Sequence, residues 1–169
     1  MTETVPPSRS TLDLVAAARA AMQNAHAPYS RFAVGAAVRL TDGTVVRGAN
    51  FENASYGLSL CAETVALANV NAQGRLADVE AIAVAGGAVS ESGHVAGTFV
   101  IMPCGRCRQV INEAEQMAGR SMAIYCAGAE GDIVQQHSLA ELLPHAFGPA
   151  DLGIETPGYA QASTREEDA

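Results

Sequence analysis

The sequence predicts an α/β fold of three layers, α/β/α, with a mixed β-sheet between helices. Two observations predict it. Segments of helical period alternate with short strand-like segments in the order α-β-β-α-β-α-β-α. The 169 residues are 49% apolar and only 17% charged, enough for one substantial core and unlike a disordered chain. Residues 1–149 read as one domain with a loose N-terminus over 1–10, and 150–169 as an acidic, flexible C-terminal tail.

Each element has local support. Ser10 or Thr11 is placed to cap a helix over residues 10–25, where Leu12, Val15, Ala16, Arg19 and Ala20 follow the helical period and Pro28 stops it. Residues 32–40 and 44–50 flank Thr41-Asp42-Gly43, a hairpin signal. A second helix is expected over 61–72, ending near Gly74. Residues 79–85 are short and apolar and read as a buried strand. The Gly/Ser-rich stretch 86–97 reads as a long loop. A third helix over 104–118 follows Pro103 and stops at Gly119. Residues 121–127 read as a strand, and 138–143 as a short Ser-capped helix stopped by Pro144.

Charge narrows the function classes. The formal net charge is −8, and all ten basic residues are arginine. Asp151, Glu155, Glu166, Glu167 and Asp168 against Arg165 place half of that −8 in residues 150–169. With no basic stripe, the chain is not expected to track a nucleic-acid polymer. No run of about 18 apolar residues is present, so no membrane partner is expected. Residues 1–10 lack a charged-then-apolar leader pattern, and the expected compartment is the cytoplasm. There the cysteines Cys61, Cys104, Cys107 and Cys126 are not expected to form disulfides.

Two segments concentrate the chemistry: Cys61-Ala62-Glu63 and Pro103-Cys104-Gly105-Arg106-Cys107. Each lies where a helix begins, and the positive end of a helix favours thiolate, the form that binds zinc. Cys104 and Cys107 are i, i+3, so one turn presents both sulfurs on one side. Cys61 can supply a third sulfur from another helix. Three protein ligands with one open position is the layout of a catalytic zinc site. A carboxylate at Glu63, beside a metal-activated water, can take its proton and pass it on. This needs Cys61 at the unwound first position, because i, i+2 side chains within a helix point apart. A lone CxxC leaves redox pair, structural zinc and coincidence all open. The added C-x-E and the proline before the CxxC complete the zinc deaminase signature. Cys126 lies among apolar neighbours and reads as a buried core thiol. His26, His94, His137 and His145 show no paired ligand spacing.

From about Ala27 to Phe147 the chain resembles the cytidine deaminases of the small, homotetrameric zinc type. The matching segments are Ala27-Pro28-Tyr29-Ser30-Arg31-Phe32-Ala33-Val34-Gly35-Ala36-Ala37, Gly48-Ala49-Asn50-Phe51-Glu52-Asn53-Ala54-Ser55-Tyr56, the two metal motifs, and Glu141-Leu142-Leu143-Pro144-His145-Ala146-Phe147. The resemblance implies that Cys61, Cys104 and Cys107 hold Zn²⁺ and that Glu63 shuttles protons. It implies that Asn50 and Glu52 bind the ribose hydroxyls, that Phe32 and Ala62 line the nucleoside site, and that neighbouring subunits complete it, with roles for Ala54, Tyr56 and Phe147. Without the resemblance, Phe32, Tyr56 and Phe147 read as ordinary core or interface aromatics. The implied reaction is hydrolytic deamination of cytidine and deoxycytidine to uridine and deoxyuridine, with release of ammonia, in pyrimidine salvage.

One position departs from the pattern. Many relatives carry an arginine directly after the C-A-E glutamate; here it is Thr64. A guanidinium near sulfur can offset the charge of three thiolates. Arg106, between the two ligand cysteines, is a candidate to replace it, with a plain surface arginine as the other reading. The motif Pro103-Cys104-Gly105-Arg106-Cys107-Arg108-Gln109 also occurs in blasticidin-S deaminases, so another cytosine nucleoside stays open as substrate. A non-catalytic zinc-binding module, with Glu63 as a mere capping carboxylate, is the alternative of another class.

Overall fold

A computed structural model describes residues 7–156. In chain order the elements are α1 (Arg9–Met22), β1 (Phe32–Leu40), β2 (Val45–Ala49), α2 (Ala62–Ala72), β3 (Val79–Val89), β4 (Val95–Ala96), α3 (Gly105–Ala118), β5 (Ala123–Gly128), β6 (Val134–His137) and α4 (Leu139–Leu142). The strands form one mixed sheet in the order β2-β1-β3-β5-β6, with β4 paired to the end of β3. β1 runs antiparallel to both β2 and β3, while β5 runs parallel to β3 after the crossover through α3.

The two faces of β3 explain the layering, because successive side chains point to opposite sides. Ala81, Ala83 and Ala85 join Ala37, Tyr125 and Ala127 beneath Leu14, Val15 and Ala18 of α1. Ile82 and Val84 join Val38, Ile124 and Cys126 beneath α2 and α3, which contribute Ala66, Leu67, Val70, Ile111 and Ala114. Small residues bring α1 close; larger ones fill the opposite layer. The expected α/β/α arrangement with helices on both faces is therefore the one observed.

Gly48 of β2 shows how tightly α2 is seated. A Cβ there would run into the Ala62 carbonyl and the backbone of Ala66, in the first turns of α2. α3 stops as expected at Gly119, whose φ of 63° suits a residue without a side chain.

Several local expectations are corrected. α1 is capped by Ser8, whose Oγ accepts from the Thr11 N–H, not by Ser10 or Thr11, and it ends at Met22, well before Pro28. Residues 8–10 thus belong to the helix and its cap; residues 1–6 lie outside the described residues. The 86–97 stretch is not a long loop: β3 continues to Val89 and pairs with Val95–Ala96. Gly86 and Gly87 sit inside the strand because a Cβ at either would strike backbone, the Ala33 carbonyl or the Ala96 carbonyl. β6 was not expected at all; it adds an antiparallel edge to β5. The proposed tail begins inside a 3-10 turn, Pro149–Leu152, and its part beyond residue 156 lies outside the described residues.

Candidate active site

The site assembles where α2 and α3 begin. Cys61 is the N-cap of α2, with extended backbone (φ −75°, ψ 154°), and its carbonyl accepts the Val65 N–H. Cys104 is the N-cap of α3 in the same conformation (φ −66°, ψ 168°). Neither thiol caps its helix, so both sulfurs are left to point elsewhere. Cys107, one turn into α3, is fully buried. The three Sγ atoms lie within 4.8 Å of one another, and those of Cys61 and Cys104 are 3.8 Å apart. Cys126 stays in the core among apolar side chains, with burial pushing its thiol up to about 12.

This donor set fits a zinc ion. Two sulfurs about 2.3 Å from one ion at the tetrahedral angle stand roughly 3.8 Å apart, the separation that Cys61 and Cys104 already hold. The charges point the same way. Burial pushes the Cys107 and Cys61 thiols above their ordinary value, and the nearby Glu63 carboxylate adds to it. For Cys104, burial is outweighed by hydrogen bonds, first of all from the Cys107 N–H, and its thiol is held below that value. A divalent cation resolves such crowding of ionisable sulfurs, since metal binding releases their protons.

Glu63 is the second residue of α2, and only 4% of it is exposed. Burial raises its carboxyl above the ordinary value, against the opposing pull of its own backbone N–H and of the Cys107 thiol. Cys61 occupies the unwound position that the scheme requires, which leaves the first turn free to carry Glu63 back over the helix end. Thr64 Oγ1 lies 4.0 Å from the Cys107 sulfur. Arg106 donates from Nη1 to the Ser59 carbonyl at 3.3 Å; among the described residues no hydrogen bond joins it to a ligand sulfur. It ties the first turn of α3 to the chain entering Cys61.

A second group of residues flanks this cluster. Phe51 and Leu60 exchange backbone hydrogen bonds of 2.9 Å, closing a loop that brings Asn50 and Glu52 back toward Cys61. Asn50 is set by β1: its Oδ1 accepts from the Val34 N–H at 2.9 Å, and its Nδ2 donates to the Phe32 carbonyl at 3.0 Å. One amide hydrogen is left for a ligand. Glu52 Oε2 accepts from the N–H groups of Tyr29 (3.0 Å) and Ser30 (3.2 Å). The Ser30 hydroxyl does most to hold its carboxyl below the usual range. Arg31, directly before β1, adopts a left-handed φ of 53°.

Residues 8–121 match the family model described as the cytidine and deoxycytidylate deaminase zinc-binding region. The chain belongs to the cytidine deaminase family. It is 45% identical over 140 residues to the cytidine deaminase of Halalkalibacterium halodurans, covering 82% of this chain and 95% of that protein. The cytidine deaminase of Mycobacterium tuberculosis is 42% identical over 137 residues, 80% of this chain and 87% of that protein. Among solved structures, the cytidine deaminase of Burkholderia pseudomallei superposes with a TM-score of 0.68 at 43% identity, over 80% of this chain and 98% of that one. The cytidine deaminase fold is thus the three-layer arrangement described above.

Of the remaining residues expected at the site, four lie on exposed surface. Ala62 is buried at the start of α2, whereas Phe32, Ala54, Tyr56 and Phe147 are exposed. The Tyr56 ring meets that of Tyr29, edge-on at 5.6 Å. Sequence reading passed over the polar face of α3, where Arg108 donates to the carbonyls of Pro103 and Leu142, both at 2.9 Å. Its partners are backbone carbonyls, that of Leu142 being 34 residues away, and such bonds leave no mark on residue spacing.

Proposed function

We propose that this chain catalyses the zinc-dependent hydrolytic deamination of cytidine and deoxycytidine, giving uridine or deoxyuridine and ammonia. One observation carries the reading: three converging sulfurs beside a buried carboxylate, at the shared start of two helices, in a chain of this family. Cys61, Cys104 and Cys107 would hold the ion. When bound, zinc supplies a Lewis acid that brings the pKa of water from about 15.7 toward 7–9.

Every other step belongs to the chain. Glu63 takes the proton of the attacking water and delivers it to ring N3. The water oxygen adds to C4 as a hydroxyl; Glu63 then takes that hydroxyl's proton and passes it to the amine, the C4–N bond breaks, and ammonia leaves as the C4 carbonyl forms. Burial, which keeps this carboxyl's proton affinity high, suits it to both directions of transfer. Asn50 donates its remaining N–H and the Glu52 carboxylate accepts at the ribose hydroxyls, while Phe32 and Ala62 line the nucleoside. Arg106, whose Nη1 donates to the Ser59 carbonyl two residues before Cys61, would offset the charge of the thiolates with its guanidinium.

The reading includes a cytoplasmic homotetramer, in which Ala54, Tyr56 and Phe147 complete a neighbour's site. Its support is the exposure of aromatic side chains beside the site, Tyr56 at 74% above all. Among the described residues no helix is long and apolar enough to cross a membrane.

The test is ammonia release from cytidine, deoxycytidine and blasticidin S by protein of measured zinc content. Turnover of the first two is expected. Zinc-loaded protein inert toward every cytosine nucleoside would sink the reading. Glu63→Gln should keep zinc and fold while kcat falls by about 10²–10⁴-fold; unchanged turnover would remove Glu63 from the mechanism.

A further inference from the structure

Phe147 is 58% exposed, yet its backbone is not free. Its carbonyl accepts from two side-chain amides of α3, Gln109 Nε2 at 2.6 Å and Asn112 Nδ2 at 3.1 Å. Asn112 is itself only 4% exposed, and its Oδ1 accepts from Gln116 Nε2 at 3.4 Å. The following residue, Gly148, lies against the Gln116 side chain so closely that a Cβ would overlap it. At the other end of the segment, Arg108 holds the Leu142 carbonyl. One polar face of α3 therefore grips residues 142–148, and the first turns of the same helix carry Cys104 and Cys107.

A surface aromatic needs no such grip. Ordering a backbone residue costs roughly 1–2 kcal/mol, and a wall fixed before the ligand arrives spares that cost at binding. A buried asparagine spent on one carbonyl is also a satisfied polar group that would be left unpaired if the segment moved away.

We propose that Gln109 and Asn112 are positioning residues that fix the Phe147 ring from the metal-bearing helix. α3 then serves the zinc site of its own copy and the aromatic wall of a neighbour's. This rests on the reading that Phe147 faces the nucleoside bound in another copy.

The experiment compares Gln109→Leu, the double variant Gln109→Leu/Asn112→Leu and Phe147→Ala, all in the full chain, for KM, kcat, zinc content and assembly state. Losing a hydrogen bond of ordinary worth corresponds to about two- to tenfold in binding. The double variant should raise KM for cytidine about tenfold, with kcat within about twofold and zinc and assembly unchanged. Gln109→Leu, altering a solvent-facing residue, should raise KM at least about twofold and keeps the test valid if the double variant does not fold. Co-expressed, differently tagged Glu63→Gln and double-variant chains give the second readout. Mixed assemblies should contain sites with the wild-type KM, because the Glu63→Gln copies lend an ordered Phe147. Unchanged KM in the variants, a loss that tracks zinc content, or mixed assemblies that keep the raised KM would each overturn the proposal. Phe147→Ala separates the two ideas. If it leaves KM unchanged, the reading of Phe147 fails; if it raises KM while the α3 variants do not, only the positioning role fails.

Discussion

Glu63 and Glu52 are both glutamates of the segment around Cys61, two residues after it and nine before it, and their surroundings push them apart. Glu63 is desolvated and its proton affinity rises; Glu52 is held by the Ser30 hydroxyl and by the N–H groups of Tyr29 and Ser30, and its affinity falls. A group that must exchange a proton sits in the first environment, and one that must stay an acceptor sits in the second. Glu52→Gln keeps the shape but removes the charge that organises residues 29–31. KM for cytidine should rise by roughly tenfold or less, as a single charged hydrogen bond is worth about 1.5–3 kcal/mol when fully buried and Glu52 is partly exposed. Because its folded pKa is depressed below 4.5, Glu52 contributes stability above that value and loses it as pH falls through the folded one. Melting curves of Glu52→Gln should therefore lie closer to wild type at low pH than at neutral pH. A constant difference across pH would count against a charged Glu52 holding the loop.

At the scale of elements, the packing of α2 onto β2 sets where Cys61 and Glu63 stand. Gly48→Ala inserts a methyl group against the Ala62 carbonyl and Ala66 backbone, neither of which is a flexible tip. Overpacking of this kind costs about 1–3 kcal/mol. At about 2–4 °C per kcal/mol for a chain of this size, the melting temperature should drop by several degrees. Turnover should fall with it, since the displaced turn carries the metal ligand and the proton carrier. An unchanged melting temperature would show that α2 shifts freely over β2. The same packing explains what was legible in sequence. The helix starts at Cys61 and Cys104, the hairpin at Asp42-Gly43 and the metal cluster follow from caps, turns and spacing, which are local. Gly86 and Gly87 looked like breakers but are demanded by the backbones of β1 and of residue 96. Val134–His137, with two glutamines, has no apolar period and is a strand only because β5 offers it an edge. The Gln109–Asn112 grip joins residues more than thirty apart, and nothing in either segment alone announces it.

At the scale of the whole molecule, part of the exposed apolar surface lies on the segment that leads into the metal cluster. The segment between Asn50 and Cys61 leads from the expected ribose ligands to the first sulfur, and it exposes Tyr56 at 74% and Leu58 at 65%. Large apolar side chains clustered beside a site mark an interaction surface more than a solvent face. A second copy seated here would cover them, close the nucleoside pocket and exclude water from Glu63. The homotetramer proposed for this chain predicts a sedimenting mass four times that of one chain. Leu58→Arg places a charge in the covered surface without touching a proposed ligand. It should shift the protein to smaller species, keep zinc bound to Cys61, Cys104 and Cys107, and lower kcat/KM by more than tenfold, because a desolvated charge at an interface costs several kcal/mol. Restored activity at high protein concentration would tie the loss to assembly. A fully active monomer, whether of the variant or of the wild type, would mean that one chain closes its own site and that these side chains serve another partner.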